Sequence, residues 1–444
     1  MIKKILLASL VLSQLAISCS SDDSDDTKPE TELSLKEQIA ELVKKPYSEL
    51  TPEQQKSKLE AEANEMLTQL DKTKSSGAIE ALENLSRLLD VSSVDIFNGK
   101  NDNKAEDILN VSGVYGIYTW NNATQKWVKT ASSTELKFVF PAKKSQTANN
   151  ASFSAKSTSS DIKVAITDTY NWSTGVEVND YIFLPTTSDA ILTIDGKESA
   201  TFNQTAKYSN GKEVPEEFAY KMFLNDGYTW QMSSKKGTAN SASASLTFNG
   251  KTLINFNGGS NANIDALIDN DELVQYRGKA NGLFQLMDNF VILADTDLAA
   301  EAADKATLRN TVKYPQNYNS PTYYDDVNAF YKKYEEGKVA NYNKNVKPIL
   351  VSKKDGTKIA DIVQRVEKGY SYVTQQPVWV ADKGYSEGGY WTYEGAKNVT
   401  VQYYESVDYL KFNDKTEVSM DTYFSTGFST FKNKFEEFEK AFDK

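Results

Sequence analysis

The chain lacks histidine altogether and has a single cysteine in 444 residues. Without imidazole there is no histidine general base, no Ser-His-Asp triad and no histidine-ligated metal. Without a second cysteine there is no internal disulfide and no thiolate zinc site. Serine-nucleophile elbows of the Gly-x-Ser-x-Gly kind are missing, as is a Walker-type phosphate loop. Ser352-Lys353-Lys354 has no supporting motif for Ser-Lys catalysis. A long apolar run is missing too. The longest near the start covers residues 5–12, shorter than the ~20 residues of a spanning helix. No cofactor motif is present. What remains open to an enzyme is carboxylate, lysine, tyrosine or hydroxyl chemistry.

What is present begins at the N-terminus. Lys3 and Lys4 precede the apolar run, and Leu15-Ala16-Ile17-Ser18-Cys19 follows it. This is the layout of a signal peptide. The acidic tract Ser20-Ser21-Asp22-Asp23-Ser24-Asp25-Asp26 comes directly after the cysteine. The segment resembles the leader of surface-exposed Bacteroidota lipoproteins, with Ala16 and Ile17 in the looser form of the lipobox. The resemblance covers only the first ~26 residues. It implies cleavage before Cys19, acylation of Cys19 with palmitate-type chains, and an outer-membrane, cell-surface address. The alternative for the acidic tract is a plain solvated linker. The order of signal, cysteine and acids favours export.

Loss of the leader removes two lysines, so 48 basic residues face 61 acidic ones and the net charge moves from −11 to −13. Such a chain repels phosphate backbones, which disfavours nucleic-acid binding. The membrane partner would be reached through acyl chains on Cys19 rather than through lipid electrostatics.

The body reads as α+β. Residues 34–92 carry two capping boxes, Ser34 with Glu37 and Thr51 with Gln54, the second with Pro52 at the first helical position. Leu59, Ala63, Met66, Leu67 and Leu70 share one helical face, and Ile79, Leu82, Leu85 and Leu88 another. These stripes predict docking on the rest of the protein. Residues 98–107 form a polar loop whose spacing departs from an EF-hand. From residue 111 the pattern becomes β, with strands at 114–120, 126–129 and 136–140. A Ser/Ala/Asn/Lys-rich loop is expected at 142–160. Further strands are expected at 162–167, 181–184 and 190–194. The dipeptides Asp195-Gly196, Asn210-Gly211, Asp226-Gly227 and Asn249-Gly250 supply the positive φ of tight hairpins. They predict a large antiparallel meander, as an open sheet or half-barrel.

Residues 283–293 fit either strands or an apolar helix. Residues 298–308 and the aromatic stretch 323–334 read as helices. Strand signals return at 348–352, 359–366, 377–380, 399–404 and 409–412, as a second, smaller β segment. Phe424, Phe428, Phe431, Phe435, Phe438 and Phe442 form a stripe on a C-terminal helix, expected to pack within the molecule. The expected organisation is a signal peptide (1–18), a lipidated acidic tether (19–33), a helical segment (34–97), an antiparallel β domain (98–296) and a mixed α/β segment (297–444).

One segment stands out for ligand binding. Tyr385, Tyr390, Trp391 and Tyr393 surround Gly388-Gly389. Aromatic faces stack on sugar rings and glycine permits close approach. The alternative is an aromatic hairpin that lines a sheet, as also for Trp120, Trp127, Trp172 and Trp230. Glu387 and Glu394 in the same segment are the acids a carboxylate-pair glycosidase would use. Three functions therefore stand: a non-catalytic lipoprotein binding a glycan or protein partner, a histidine-free glycosidase, and an apolar-ligand carrier built on a half-open barrel.

Overall fold

A computed structural model describes residues 34–92, 94, 107–110, 112–209, 211–270, 273–318 and 320–425. Cys19, the acidic tract, nearly all of the 98–107 loop and the phenylalanine stripe beyond Phe424 lie outside the described residues.

The helices begin where side chains can satisfy orphan amides. In α1 (Leu35–Val43) Ser34 and Glu37 cap each other reciprocally, and Thr51 and Gln54 do the same for α2 (Pro52–Asp71). Ser76 caps α3 (Gly77–Val91). The two apolar stripes read from the sequence are buried. A short α4 (Asp107–Asn110) leads into the strands.

Among the described residues sixteen strands form one open sheet. They are β1 (Gly116–Asn121), β2 (Lys126–Thr130), β3 (Leu136–Phe140), β4 (Ala151–Asn171), β5 (Val176–Ile194), β6 (Lys197–Lys207), β7 (Glu217–Leu224) and β8 (Tyr228–Lys235). They continue as β9 (Asn240–Phe248), β10 (Lys251–Ser260), β11 (Lys279–Leu286), β12 (Phe290–Asp297), β13 (Ile349–Ser352), β14 (Thr357–Ala381), β15 (Gly389–Lys411) and β16 (Glu417–Ser419). The sheet is a meander from β3 to β16, and among the described strands only β1 with β3 pair in parallel. Asp195-Gly196 and Asn249-Gly250 take positive φ at both positions, the geometry that matches the twist of two-residue hairpins.

Four expectations change and one open alternative is settled. The loop placed at 142–160 is strand from Ala151, because Ala151, Phe153 and Ala155 alternate inward beneath a polar composition. The strands at 181–184 and 190–194 are one strand, β5. It tolerates Pro185 because β6 pairs only from Thr187 onward, so the missing N–H falls on an open edge. The ambiguous residues 283–293 form the β11–β12 hairpin. The stretches at 359–366 and 377–380 are one strand, with Pro377 seated at a register shift, and 399–404 and 409–412 are likewise one. Finally, β13–β16 extend the first sheet rather than making a second β segment.

One face of the sheet holds the core. Phe138, Phe140, Phe153, Leu192 and Leu224 are fully buried and pack with α2 and α3. The opposite face is polar, with Asn203, Lys221, Gln231 and Ser245 in successive register across β6–β9. Helix α2 crosses the lower ends of the strands. Its Gln69 carbonyl accepts from the Tyr228 hydroxyl, Glu65 pairs with Lys251, Glu62 with Lys354, and Lys58 with Asp355 at 2.8 Å.

Two hairpins are much longer than their neighbours. β4 pairs with β3 only through Ala155, and β5 with β6 only from Thr187. β14 pairs with β13 only through Asp361, and β15 with β16 only at Tyr409–Lys411. Beyond those points no neighbouring strand pairs with either hairpin among the described residues, and a single bridge from Ser112 to Phe183 touches β5. Ten antiparallel steps separate β4 from β14. Ten is even, so both strands run the same way and both hairpins project from the same, upper end of the sheet. A short α5 (Ile264–Asp269) follows β10. The β12–β13 connection, with α6 (Leu298–Thr311) and α7 (Tyr323–Asn345), lies at the upper end.

Candidate ligand-contact surface on the long hairpin

Where β14 and β15 leave the sheet, α7 and the loop before it hold them. Asn343 donates to the Gln364 carbonyl at 3.0 Å and accepts from its amide at 2.8 Å. Farther out, Asn328 donates to the Thr400 carbonyl and accepts from the Gln402 amide, both at 2.8 Å. Between them the Ser406 hydroxyl donates to Glu335. The Gln376 amide donates to the Ser320 carbonyl at 3.2 Å. These contacts replace the missing neighbour strands and close two open edges.

Aromatic rings fill the same junction. Tyr331 on α7 lies 4.3 Å from Tyr403 between centroids, and Tyr403 in turn lies 6.4 Å from Tyr370 and 6.3 Å from Tyr372. Burial, then the hydrogen bond with Tyr403, pushes the Tyr331 phenol far above its ordinary value. Tyr370 remains exposed at the edge of this group.

Past Gln376 the ladder slips, with Gln376 opposite Lys397 but Val378 opposite Thr392. A bulge of this kind re-aims the strands beyond it. It carries a separate aromatic head. Trp379 faces Trp391 directly across the hairpin, with centroids 5.4 Å apart and planes at 65°. Edge-to-face packing at this distance suits the ring quadrupoles. The Trp379 indole also covers Gly389, where a Cβ would overlap the indole and the Val380 carbonyl oxygen. Tyr385 in the turn meets Tyr390 at 4.9 Å. The turn is tied by the Asp382 amide to Gly388 and the Gly388 amide to Tyr385, each 2.9 Å.

All four residues singled out in the sequence therefore share one hairpin end, in two ring pairs with Tyr393 beside them. Tyr385 is 52% exposed and Tyr393 66%. Sequence reasoning missed Trp379, the partner of Trp391. Counting outward from the Gly-rich turn along both strands would have found it. It also missed Tyr370, Tyr372 and Tyr403, whose grouping depends on the docking of α7. Trp120 and Trp230 are core residues, while Trp172 stands 89% exposed at the end of the β4–β5 hairpin.

Glu387 and Glu394 are both exposed, so neither occupies the dry setting that a proton-donating glycosidase acid requires. Among the described residues no group of three or more His, Cys, Asp or Glu side chains could hold a metal ion. No helix among them is long and apolar enough to cross a membrane. No protein-family model, curated protein or solved structure matches the chain.

Proposed function

We propose that the chain is a lipid-anchored outer-membrane protein of the cell surface, non-catalytic, that binds a glycan or a protein partner with the head of the β14–β15 hairpin. The anchor rests on the leader, Cys19 and the acidic tract that follows it. The binding role rests on one observation, the outward-facing group of Tyr385, Tyr390, Tyr393, Trp379 and Trp391 on a braced, projecting hairpin. Each exposed aromatic forgoes roughly 1.5–3 kcal/mol of burial. Clustered rings on a rigid support suit a surface that a partner covers, because Tyr and Trp offer contact area at low entropic loss. The acidic balance directs the reading away from nucleic acid. It calls for no cofactor.

The test compares the full lipoprotein with two variants. Cys19→Ala should leave the chain unlipidated and release it from the membrane fraction; continued retention contradicts the anchor. Combined Tyr385→Ala, Tyr390→Ala and Tyr393→Ala should abolish binding to arrayed glycans and cell-surface proteins while the fold persists. Unchanged binding contradicts the assigned surface.

A further inference from the structure

The β14–β15 hairpin carries rings at its root as well as at its head, and strand alternation puts both groups on one face. Side chains leave a strand on alternate sides, and direct cross-strand partners leave on the same side. Tyr372 lies opposite Val401, and Val380 opposite Tyr390. Tyr372 and Val380 are eight residues apart on one strand, an even count. The slip past Gln376 adds its extra residues to β15, which steps from Lys397 to Thr392, so β14 keeps its alternation. Tyr372, Val380 and Tyr390 therefore face the same way. Tyr370 lies 6.2 Å from Tyr372 with planes 22° apart, and Tyr403 lies 6.3 Å from Tyr372. Tyr385 joins Tyr390 at the far end. Root and head stand about 26 Å apart along β14.

The stretch between them is not bare. Gln376 sits midway, and its bond to the Ser320 carbonyl lays the loop before α7 over that face. The loop carries Tyr318, 67% exposed, and Tyr370 at the root is 71% exposed. Charge is scarce along the whole run, in a chain that is 25% charged. Residues 369–381 of β14 contain no charged side chain, and residues 389–403 of β15 contain one acid and one base, Glu394 and Lys397. The turn adds Asp382, Lys383 and Glu387. Burial, then Tyr403, Tyr324, Tyr323 and Tyr370, pushes the Tyr372 phenol up, and no charged side chain takes part. In place of charge the two strands offer ring faces, phenol hydroxyls, and the amides and hydroxyls of Gln, Asn and Thr.

We propose, resting on the binding role given to the head, that root and head together bind one linear, uncharged polysaccharide laid along this face, past the Tyr318 loop at its middle. A sugar ring presents apolar C–H edges to an aromatic face and hydroxyls to amides and phenols, with no charge to be met. A protein partner is oriented by complementary charge, which these strands hardly offer. A short sugar reaches one ring group only. A chain that spans both gains the second contact at high effective concentration, so affinity climbs with length.

The test titrates the purified mature chain with neutral gluco-, manno- and xylo-oligosaccharides, from disaccharide to octasaccharide, beside uronate-containing chains of the same lengths. Affinity for a neutral series should rise about tenfold or more once the chain spans root and head. Tyr370→Ala, at an exposed position that the fold does not need, should bring the ratio of long-chain to short-chain affinity close to one. Equal affinity for short and long chains, an unchanged ratio in Tyr370→Ala, or tighter binding of the uronate chains overturns the proposal. A protein bound through Tyr385, Tyr390 and Tyr393, with no glycan bound, overturns it too but leaves the binding role of the head standing. A long neutral chain that the combined Tyr385→Ala, Tyr390→Ala and Tyr393→Ala variant binds as tightly as the parent overturns both.

Discussion

Asn328 and Asn343 sit fifteen residues apart on α7, and each exchanges two hydrogen bonds with one edge of the same hairpin, Asn328 with β15 and Asn343 with β14. Fifteen helical residues rise about 22 Å. The two anchor points are seven residues apart along β15, counting from Val401 to Asp408, the partner of Gln364, or about 23 Å of strand. The helix therefore matches the hairpin stem in length and crosses from one edge to the other. Asn328→Ala should cost about 0.5–1.5 kcal/mol. It should also speed hydrogen exchange at the Gln402 amide, as Asn343→Ala should at Gln364. Unchanged exchange at both would show that the amides do not brace the stem.

Gly389 is needed for the head's shape. In Gly389→Ala the new methyl has no space between the Val380 carbonyl and the Trp379 indole. The Trp379–Trp391 pair should separate, seen as loss of its near-UV circular dichroism. Global Tm should change little, since the hairpin beyond Asp361 adds nothing to the main core clusters past Ile362 and Leu410.

The pH response should be flat where most proteins titrate histidines. With none in the chain, stability between about pH 5.5 and 8 should vary little. Hydrogen bonds from Lys58, Lys344 and Arg365 hold Asp355, Asp304 and Glu417 below the usual carboxylate range. Groups so lowered stabilise the fold above their unfolded values, and that contribution disappears as pH falls through the lowered folded values. Thermal unfolding followed from pH 8 to 3 should show a plateau and then a decline beginning near pH 4.5. Arg365→Leu should shrink the part of that decline owed to Glu417.

Glu83 on α3 behaves oppositely. Burial, then the neighbouring Glu80, pushes its carboxyl above the ordinary value. The charged form is therefore disfavoured in the fold, and folding weakens as pH rises past the unfolded value and through the raised folded one. Glu83→Gln should raise Tm at pH 7, and the gain should vanish at pH 3.5, where the carboxyl is protonated in both folded and unfolded chains. A gain equal at both pH values would contradict the sign.

The two faces of the sheet should respond differently to truncation. Phe153→Ala removes a buried ring on the core face and should cost about 3–5 kcal/mol. Phe223→Ser, on the polar face and 43% exposed, should stay within about 0.5 kcal/mol. Denaturant midpoints of both variants measure the difference.

The helical stripes and capping boxes were legible in the sequence because their signals are local: Ser34 reaches Glu37, and Leu59 through Leu70 repeat on one face. Hairpins with Asn-Gly and Asp-Gly turns were legible for the same reason. Strand length was not. Pro185 and Pro377 read as ends of strands, yet one falls on an open edge and the other at a bulge, where the missing N–H does no harm. The continuity of β13–β16 with the first sheet depends on the β12–β13 pairing across the helical excursion from Leu298 to Pro348, and no local pattern encodes that. At the candidate site, the ring cluster around the Gly-rich turn was visible as composition. Its pairing of Trp379 with Trp391, and its elevation on a stem braced by Asn328 and Asn343, come from register and tertiary docking.

The central claim, a binding head without catalysis, is tested most directly by incubating the purified mature chain with an oligosaccharide panel and following both retention and breakdown. Retention without breakdown, lost in a Trp379→Ala, Trp391→Ala double variant, is the expected result. Consumption of a sugar that a single Glu387→Gln or Glu394→Gln change abolishes would contradict it.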